Sequence, residues 1–518
     1  MKNTLKITAV VLTALIILFT CILSPAATVE AYAAVSDLDT SVSARDASGD
    51  YDVNEAVVLM PEDDLTITEA GVYILSGTYE NKMIVVDVSK DDKVQFVLQN
   101  AVLTNANGPA IYVRSADKVF ITAAEGTENS ISDGTSYELT DEETTLDAAV
   151  FSKEDLTING SGKLTINGNY KHAVVSKDDL VVTAKDLTVN AVNVGLFGKD
   201  SVRLSAANVT VTAGTDGIRS KNGTDTSLGF VSAENSAITI QAGKDGIQAE
   251  TVFLSNNSVI AVRSGGGGTV KKTSSADSYK GIKAGIAIII NGGTYAIDSL
   301  DDAIHTNGTV SITAGTFVLR SSDDGIHADE YIDISGGTFD VDAYEGIEAT
   351  YVRISGGEIT VQASDDGINA ARKSATYTPT VEITGGTITV TMGAGDTDGI
   401  DSNGNIIISG GTIYVNANSP FDYDGSASFT GGTVYVNGSQ VTSLPNQMMG
   451  GFGGQGGFHG GMGSQGGFWG SSGEQNSSDY QGGYRGKPDE QSGSGYQGGF
   501  GSDPGEQGGF RGGFGGHH

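Results

Sequence analysis

The sequence predicts an all-β fold, a parallel β-helix wound from one chain with about 21–22 residues per coil in its regular part. Three observations predict it. From about Val35 to Leu444 the chain is made of short β-rich runs, such as KLTINGN (163–169) and TIYVNAN (412–418), punctuated by Gly, Asn, Asp and Ser. No stretch after the N-terminal segment keeps apolar residues at helical spacing over three turns. Most telling is an internal repeat: residues 281, 303, 325, 346 and 367, each preceding an isoleucine, are spaced by 22, 22, 21 and 21. Steps of 29, 35 and 32 around Gly217, Gly246, Gly281, Gly367 and Gly399 look like the same unit with an inserted loop.

A second phrase keeps register with the first: INGGT (290–294), ITAGT (312–316), ISGGT (334–338), ISGGE (354–358), ITGGT (383–387), ISGGT (408–412) and FTGGT (429–433). One coil then reads GIHA, turn, YIDIS, Gly-Gly corner, TFDVDA, turn. Alternation points Ile326, Ala328, Ile332, Ile334, Phe339, Val341 and Ala343 inward, and His327, Asp333, Asp340 and Asp342 outward. Stacking at ~4.8 Å per coil places Ile282, Ile304, Ile326, Ile347, Ile368 and Ile400 in one ladder. A calcium-binding nonapeptide solenoid is excluded because no period of nine is present.

The elements follow in order. Residues 1–33 read as a secretory signal peptide: Lys2 and Lys6 precede an apolar run over 7–23, and Ala31-Tyr32-Ala33 offers a cleavage site. Residues 34–64 form a lead-in that caps the open end, and 65–445 form the β domain. Residues 446–518 are a low-complexity tail in which QGGF recurs at 455–458, 465–468, 497–500 and 507–510; this composition cannot bury a core and reads as a disordered spacer. Cleavage removes Cys21, the only cysteine, so the mature chain has neither disulfide nor thiolate metal site. The 518 residues carry a formal charge of -33, which disfavours nucleic acid and anionic membrane surfaces as partners and suits divalent cations. The expected mature protein is a secreted or cell-surface-associated monomer with no membrane span.

The repeat also writes acids in columns. Before the repeated glycine stand Asp216, Asp245, Lys280, Asp302, Asp324, Glu345, Asp366 and Asp398; one place earlier stand Tyr279, Asp301, Asp323, Tyr344 and Asp365; after the isoleucine stand Lys283, His305, His327, Glu348, Asn369 and Asp401. Two unit charges ~4.8 Å apart repel by about 3.5 kcal/mol at an effective dielectric of 20. Asp-Gly turns account for one acid per coil but not for a second and third. A bound cation offsets the repulsion most simply. Ca²⁺ accepts irregular carboxylate geometry, Mg²⁺ demands an octahedron, and Zn²⁺ wants more histidines than the pair His305 and His327. The expected metal ligands are drawn from Asp301, Asp302, Asp323, Asp324, Glu345, Glu348, Asp365, Asp366, Asn369, Asp398 and Asp401.

The phrases KGIKA (280–284), DDAIHTNGTVSITAGT (301–316), DDGIHADEYIDISGGT (323–338), YEGIEATYVRISGGEI (344–359) and DDGINA (365–370) resemble a bacterial secreted family of right-handed parallel β-helix carbohydrate-binding proteins. ITEAGVYILSG and AIYVRSADKVFITAAEGTENSISDG, further upstream, resemble it too, as does the glycine-rich tail. Ala303 and Ala314 depart from its glycines. The resemblance covers residues from about 65 to 440 and implies a right-handed solenoid similar to calcium-binding polysaccharide lyases. It further implies calcium at the acidic columns and binding of acidic pectin-type sugars and of cellulose. On this reading the protein is a non-catalytic glycan binder, with Tyr279, His305, His327 and Tyr344 placed to stack on sugar rings. A pectate-type lyase is the alternative, and would need a base to take the proton alpha to a uronate carboxylate, with Lys280 or Lys283 as candidates. A third reading makes the protein an adhesive matrix component acting through its tail.

Overall fold

In each repeat unit the alternating sequence becomes alternating burial. Thr338–Ala343 and Glu358–Ala363 both run exposed, buried, exposed, buried, exposed, buried. The computed structural model describes residues 38–62, 65–138, 145–270, 277–394 and 397–446. The expected signal segment, and the tail beyond Asn446, lie outside the described residues. The described residues hold forty strands joined in one sheet. Pairing between successive passes of the chain is parallel throughout, save for the terminal pair Thr433–Val436 and Ser439–Val441.

The expected ladder is present. Ile282, Ile304, Ile326, Ile347, Ile368 and Ile400 are register partners in turn, and all are fully buried. Aromatic rings stack along the same axis: Tyr295 on Phe317 at 4.8 Å and Phe317 on Phe339 at 4.5 Å. The repeated glycine has a steric cause. A Cβ on Gly325 would stand 2.5 Å from the carbonyl oxygen of Gly346 in the next tier. The second glycine of the GGT phrase has a conformational cause, as at Gly337 with φ 108°.

The expected open right-handed β-helix is corrected. The pairings close a ring of twelve parallel strands, a closed parallel barrel with the remaining strands outside it. Two strands of 13 residues make the closure. Lys93–Asn105 pairs through its first half with Lys118–Ala123 and through its second half with Glu128–Asp133. Val252–Ser264 likewise pairs with both Phe230–Glu234 and Ala237–Ala242. Between these two ends run Asp155–Gly160, Asp179–Val182 and Ser201–Ser205 on one side. Lys163–Gly168, Asp186–Ala191 and Asn208–Ala213 run on the other. The physical reason lies at the corners: Asn100 (φ 54°) and Asn257 (φ 50°) take the left-handed conformation inside these long strands. The chain bends there, its pairing lapses for a residue or a few, and it resumes on the next face.

The lead-in is more than a loop. Ala44–Ser48 is a short α-helix capped by Ser43 and closed by Gly49, too short to register as a helical period. It is sewn to the outside of the strands. The Asp46 carboxylate accepts from Thr157 Oγ1 at 2.6 Å and from Lys118 Nζ at 3.2 Å. Thr183 Oγ1 donates to the Asp46 carbonyl at 2.6 Å, and Arg203 Nη1 to the carbonyls of Asp39 and Ser41 at 3.1 Å. Among the described residues no helix is long and apolar enough to cross a membrane.

Candidate functional site

Parallel register turns the repeated acids into physical columns. Lys283, His305, His327, Glu348, Asn369, Asp401 and Asp422 are register partners in succession on the outward side of the isoleucine ladder. Asp324 pairs with Glu345, and Asp366 with Asp398, in the column before the glycine. Tyr344 joins the neighbouring column through backbone bonds to Asp323 and Asp365. Asp422 was missed by sequence reasoning because FDYDG lacks the Gly-Ile phrase. Its one signal is the outward position after buried Phe421.

The columns fall into parts with different electrostatics. In the early tiers protein cations answer the acids. Arg219 Nη1 stands 3.1 Å from Asp216, and Lys283 Nζ 3.8 Å from Asp245. Lys280 Nζ lies 2.8 Å from Asp302 and 3.2 Å from Asp301. Burial alone would lower the Lys280 ammonium, but Asp302 and Asp301 outweigh it and raise it above its ordinary range. Burial would raise Asp302, yet Lys280 and His305 hold it well below the usual carboxylate range. Lys280 is therefore a fixed cation, the opposite of what a lyase base requires.

The middle tiers are built on two histidines. His305 Nδ1 pairs with Asp302 at 2.7 Å, and His327 Nδ1 with Asp324 at 2.6 Å. The two rings stack face to face at 4.8 Å, so each covers one face of the other rather than offering it to a sugar. Burial lowers His305, with Asp302 opposing. His327 goes the other way, well above its ordinary range despite burial, because Asp324, Asp329 and Glu348 all bond to it. Burial pushes Asp324 up to about 8, with His327 opposing. Glu348 is brought down to about 2 against its burial by His327 and by Lys373, whose Nζ stands 3.0 Å away. Burial and the Glu348 carboxylate push Glu345 up to about 9. Asn369 Nδ2 bridges the group, donating to Glu345, Asp366 and Glu348 at 3.1–3.3 Å.

The late tiers lack such answers. Oxygens of Asp398, Asp401 and Asp422 lie within 4.8 Å of one another, as do those of Glu345, Asp365 and Asp366. Burial, then Asp401, Asp365 and Asp398, push Asp366 up to about 7. Burial, then Asp398 and Asp422, do the same to Asp401. After burial, the strongest influences on either are other carboxylates, with no lysine, arginine or histidine among them. Oxygens of Asp301, Asp302 and Asp323 lie equally close together but include the two acids already paired to Lys280. Clusters of oxygen donors alone suit a hard divalent cation. Of the expected sugar-stacking residues, Tyr344 is the exposed one, at 41%; Tyr279 is partly buried, its carbonyl accepting from Ser264 Oγ.

Comparison with known proteins adds to this geometry. The profile of the family described as "Carbohydrate-binding domain-containing protein" matches residues 61–325 and 321–443. A curated protein of that same description from Acetivibrio thermocellus is 36% identical over 131 residues, which are 25% of this chain and 46% of the relative. The chain thus spans about half the length of the curated relative it matches. A solved structure of a polysaccharide lyase-like protein from C. thermocellum, a gadolinium derivative, is 33% identical. That match covers 42% of this chain and 86% of the solved one, with a TM-score of 0.37.

Proposed function

The chain belongs to the family of carbohydrate-binding domain-containing proteins, and on that premise we propose that its acidic columns hold calcium and capture an acidic polysaccharide without cleaving it. The observation that carries this reading is the division of the columns. Protein cations neutralise the acids around Lys280, His327 and Lys373, whereas the charges that weigh most on Asp366 and Asp401 are other carboxylates, with the Asn369 amide beside Asp366. Asp398, Asp401 and Asp422 would hold one ion, and Glu345, Asp365 and Asp366 another. Bound there, calcium supplies positive charge through which an acidic protein can hold a uronate carboxylate. The surrounding residues fix the arrangement: Asn369 ties Glu345 to Asp366, and the buried isoleucine ladder sets the column spacing.

The fixed cationic state of Lys280 favours binding over elimination. The glycan class follows the family resemblance, a pectin-type acidic polymer such as polygalacturonate, and the expected place of action is outside the cell. The test is retention on polygalacturonate with calcium and with EDTA, read together with absorbance of unsaturated uronides. Calcium-dependent retention with flat absorbance supports binding. Rising absorbance makes the protein a lyase, and retention indifferent to EDTA removes calcium from the account.

A further inference from the structure

Between Ala370 and Thr380 the chain makes a detour. The strand Asp366–Ala370 stops, residues 371–379 intervene, and Thr380–Ile383 resumes the ladder. One tier earlier, Glu345–Ile354 runs through the same corner unbroken. The base of the detour is fixed. Thr350, fully buried, accepts through its Oγ1 from the backbone N–H of Lys373 at 3.0 Å and of Ser374 at 2.9 Å. Tyr377 sets its ring against Tyr331 and Tyr351, with centroids 5.6 and 6.0 Å apart. From this base the Lys373 side chain reaches back and lays its Nζ 3.0 Å from Glu348. The two ends of that pair differ in exposure: the Glu348 side chain is 4% exposed and the Lys373 side chain 36%. The ammonium can therefore leave without opening the core.

Glu348 also adjoins the cluster proposed as an ion site. The Asn369 amide donates to Glu348, Glu345 and Asp366 together. Burial would lower the Lys373 ammonium, but Glu348, Glu345 and Asp324 raise it above its ordinary range. Lys373 thus stands in the field that would draw a divalent cation. One atom here is unanswered. Asn369 is buried, and its Oδ1 has no hydrogen-bond partner among the described residues. A carboxamide turned over about its last bond puts that oxygen where Nδ2 now stands, among three carboxylates, and only a cation makes that favourable. Calcium takes six to eight oxygens, so Asn369 Oδ1 and Glu348 are further donors beside Glu345, Asp365 and Asp366. We propose that Lys373 is a tethered competitor of calcium, which occupies Glu348 while the ion is away and gives it up when Glu348 and Asn369 Oδ1 turn to the ion.

The inference rests on the calcium reading and gives that site a regulation. A tethered ammonium competes at an effective concentration that does not change with the solution. The strength of its pair with Glu348 therefore sets how much calcium the site demands. A pair populated about ten to one over its open form weakens the apparent calcium affinity about tenfold. The site then fills, and the glycan is held through it, only above a calcium threshold set by one side chain.

The experiment pairs calorimetric titration of the full chain with calcium and acetylation of its lysines by acetic anhydride, followed peptide by peptide in mass spectrometry. Lys373→Met binds calcium about tenfold tighter than the parent in one of its binding steps. Lys373→Arg, which keeps the charge, stays near the parent. His327 remains on Glu348 in both variants, and melting curves in EDTA check the fold. In the unmutated chain, where no variant has to fold, calcium speeds acetylation of Lys373 and leaves the buried Lys280 as it was. Calcium binding to Lys373→Met no tighter than to the parent overturns the inference and leaves the calcium reading standing. Acetylation of Lys373 indifferent to bound calcium does the same. Calcium binding to neither protein overturns both.

Discussion

Replacing Asp401 by Asn reverses the sign of its effect with calcium. In the column Asp401 lies next to Asn369 and Asp422, with Asp398 in the same cluster. Burial, Asp398 and Asp422 raise its carboxyl from 3.8 to about 7. Three pH units correspond to about 4 kcal/mol. The group is partly exposed, so solvent screening reduces this to about 2 kcal/mol. A carboxyl whose folded pKa is raised lowers stability once it is ionised. In EDTA at neutral pH the Asn variant is therefore more stable than the parent by about 2 kcal/mol. For the same reason the parent in EDTA gains stability as pH falls from about 8 to about 5, because the folded state takes up the proton first. Calcium inverts the ranking: at a hundredfold excess over Kd a ligand adds about 2.7 kcal/mol, and the variant, short of one donor, gains less. Urea denaturation followed by circular dichroism reads both conditions. A variant less stable in EDTA, or one gaining as much from calcium as the parent, refutes the reasoning.

Other substitutions test other parts of the structure. Lys280→Met leaves Asp301 and Asp302 without their shared ammonium and costs about 3–5 kcal/mol in the urea midpoint, as loss of one partner from a buried ion pair does. Gly325→Ala sets a methyl 2.5 Å from the Gly346 carbonyl and costs about 1–3 kcal/mol, measured the same way. Asp46→Ala removes the N3 half of the Ser43 capping box and the bonds to Thr157 and Lys118; it lowers stability by about 1–3 kcal/mol and speeds amide exchange in the strands that the lead-in covers.

Regular spacing made part of this molecule legible in its sequence. A step of 21–22 residues fixed which isoleucines stack and which acids share a column, because parallel register carries each position onto its repeat. Spacing says nothing of how a corner is made. Asn100 and Asn257 carry two long strands around their bends, and so the ring closes where an open solenoid was expected. Nor does spacing show where an insertion returns. The 32-residue step holds Lys373, which folds back to within 3.0 Å of Glu348 and neutralises it. The acidic columns were thus visible in the sequence, while their division into answered and unanswered charges needed the side chains in place. His305 and His327 show the same limit: their place in the outward column followed from the repeat, but their rings are spent on Asp302, Asp324 and each other.

On the proposed function, calcium and an acidic glycan meet on the late tiers of these columns. Binding that shares a site is reciprocal, so each ligand must change the affinity of the other by the same factor. Calcium titration of the full chain, with and without oligogalacturonate, measures that factor. Oligogalacturonate is expected to tighten calcium binding, and Asp401→Asn to remove the coupling. Equal calcium affinity with and without the sugar would contradict it.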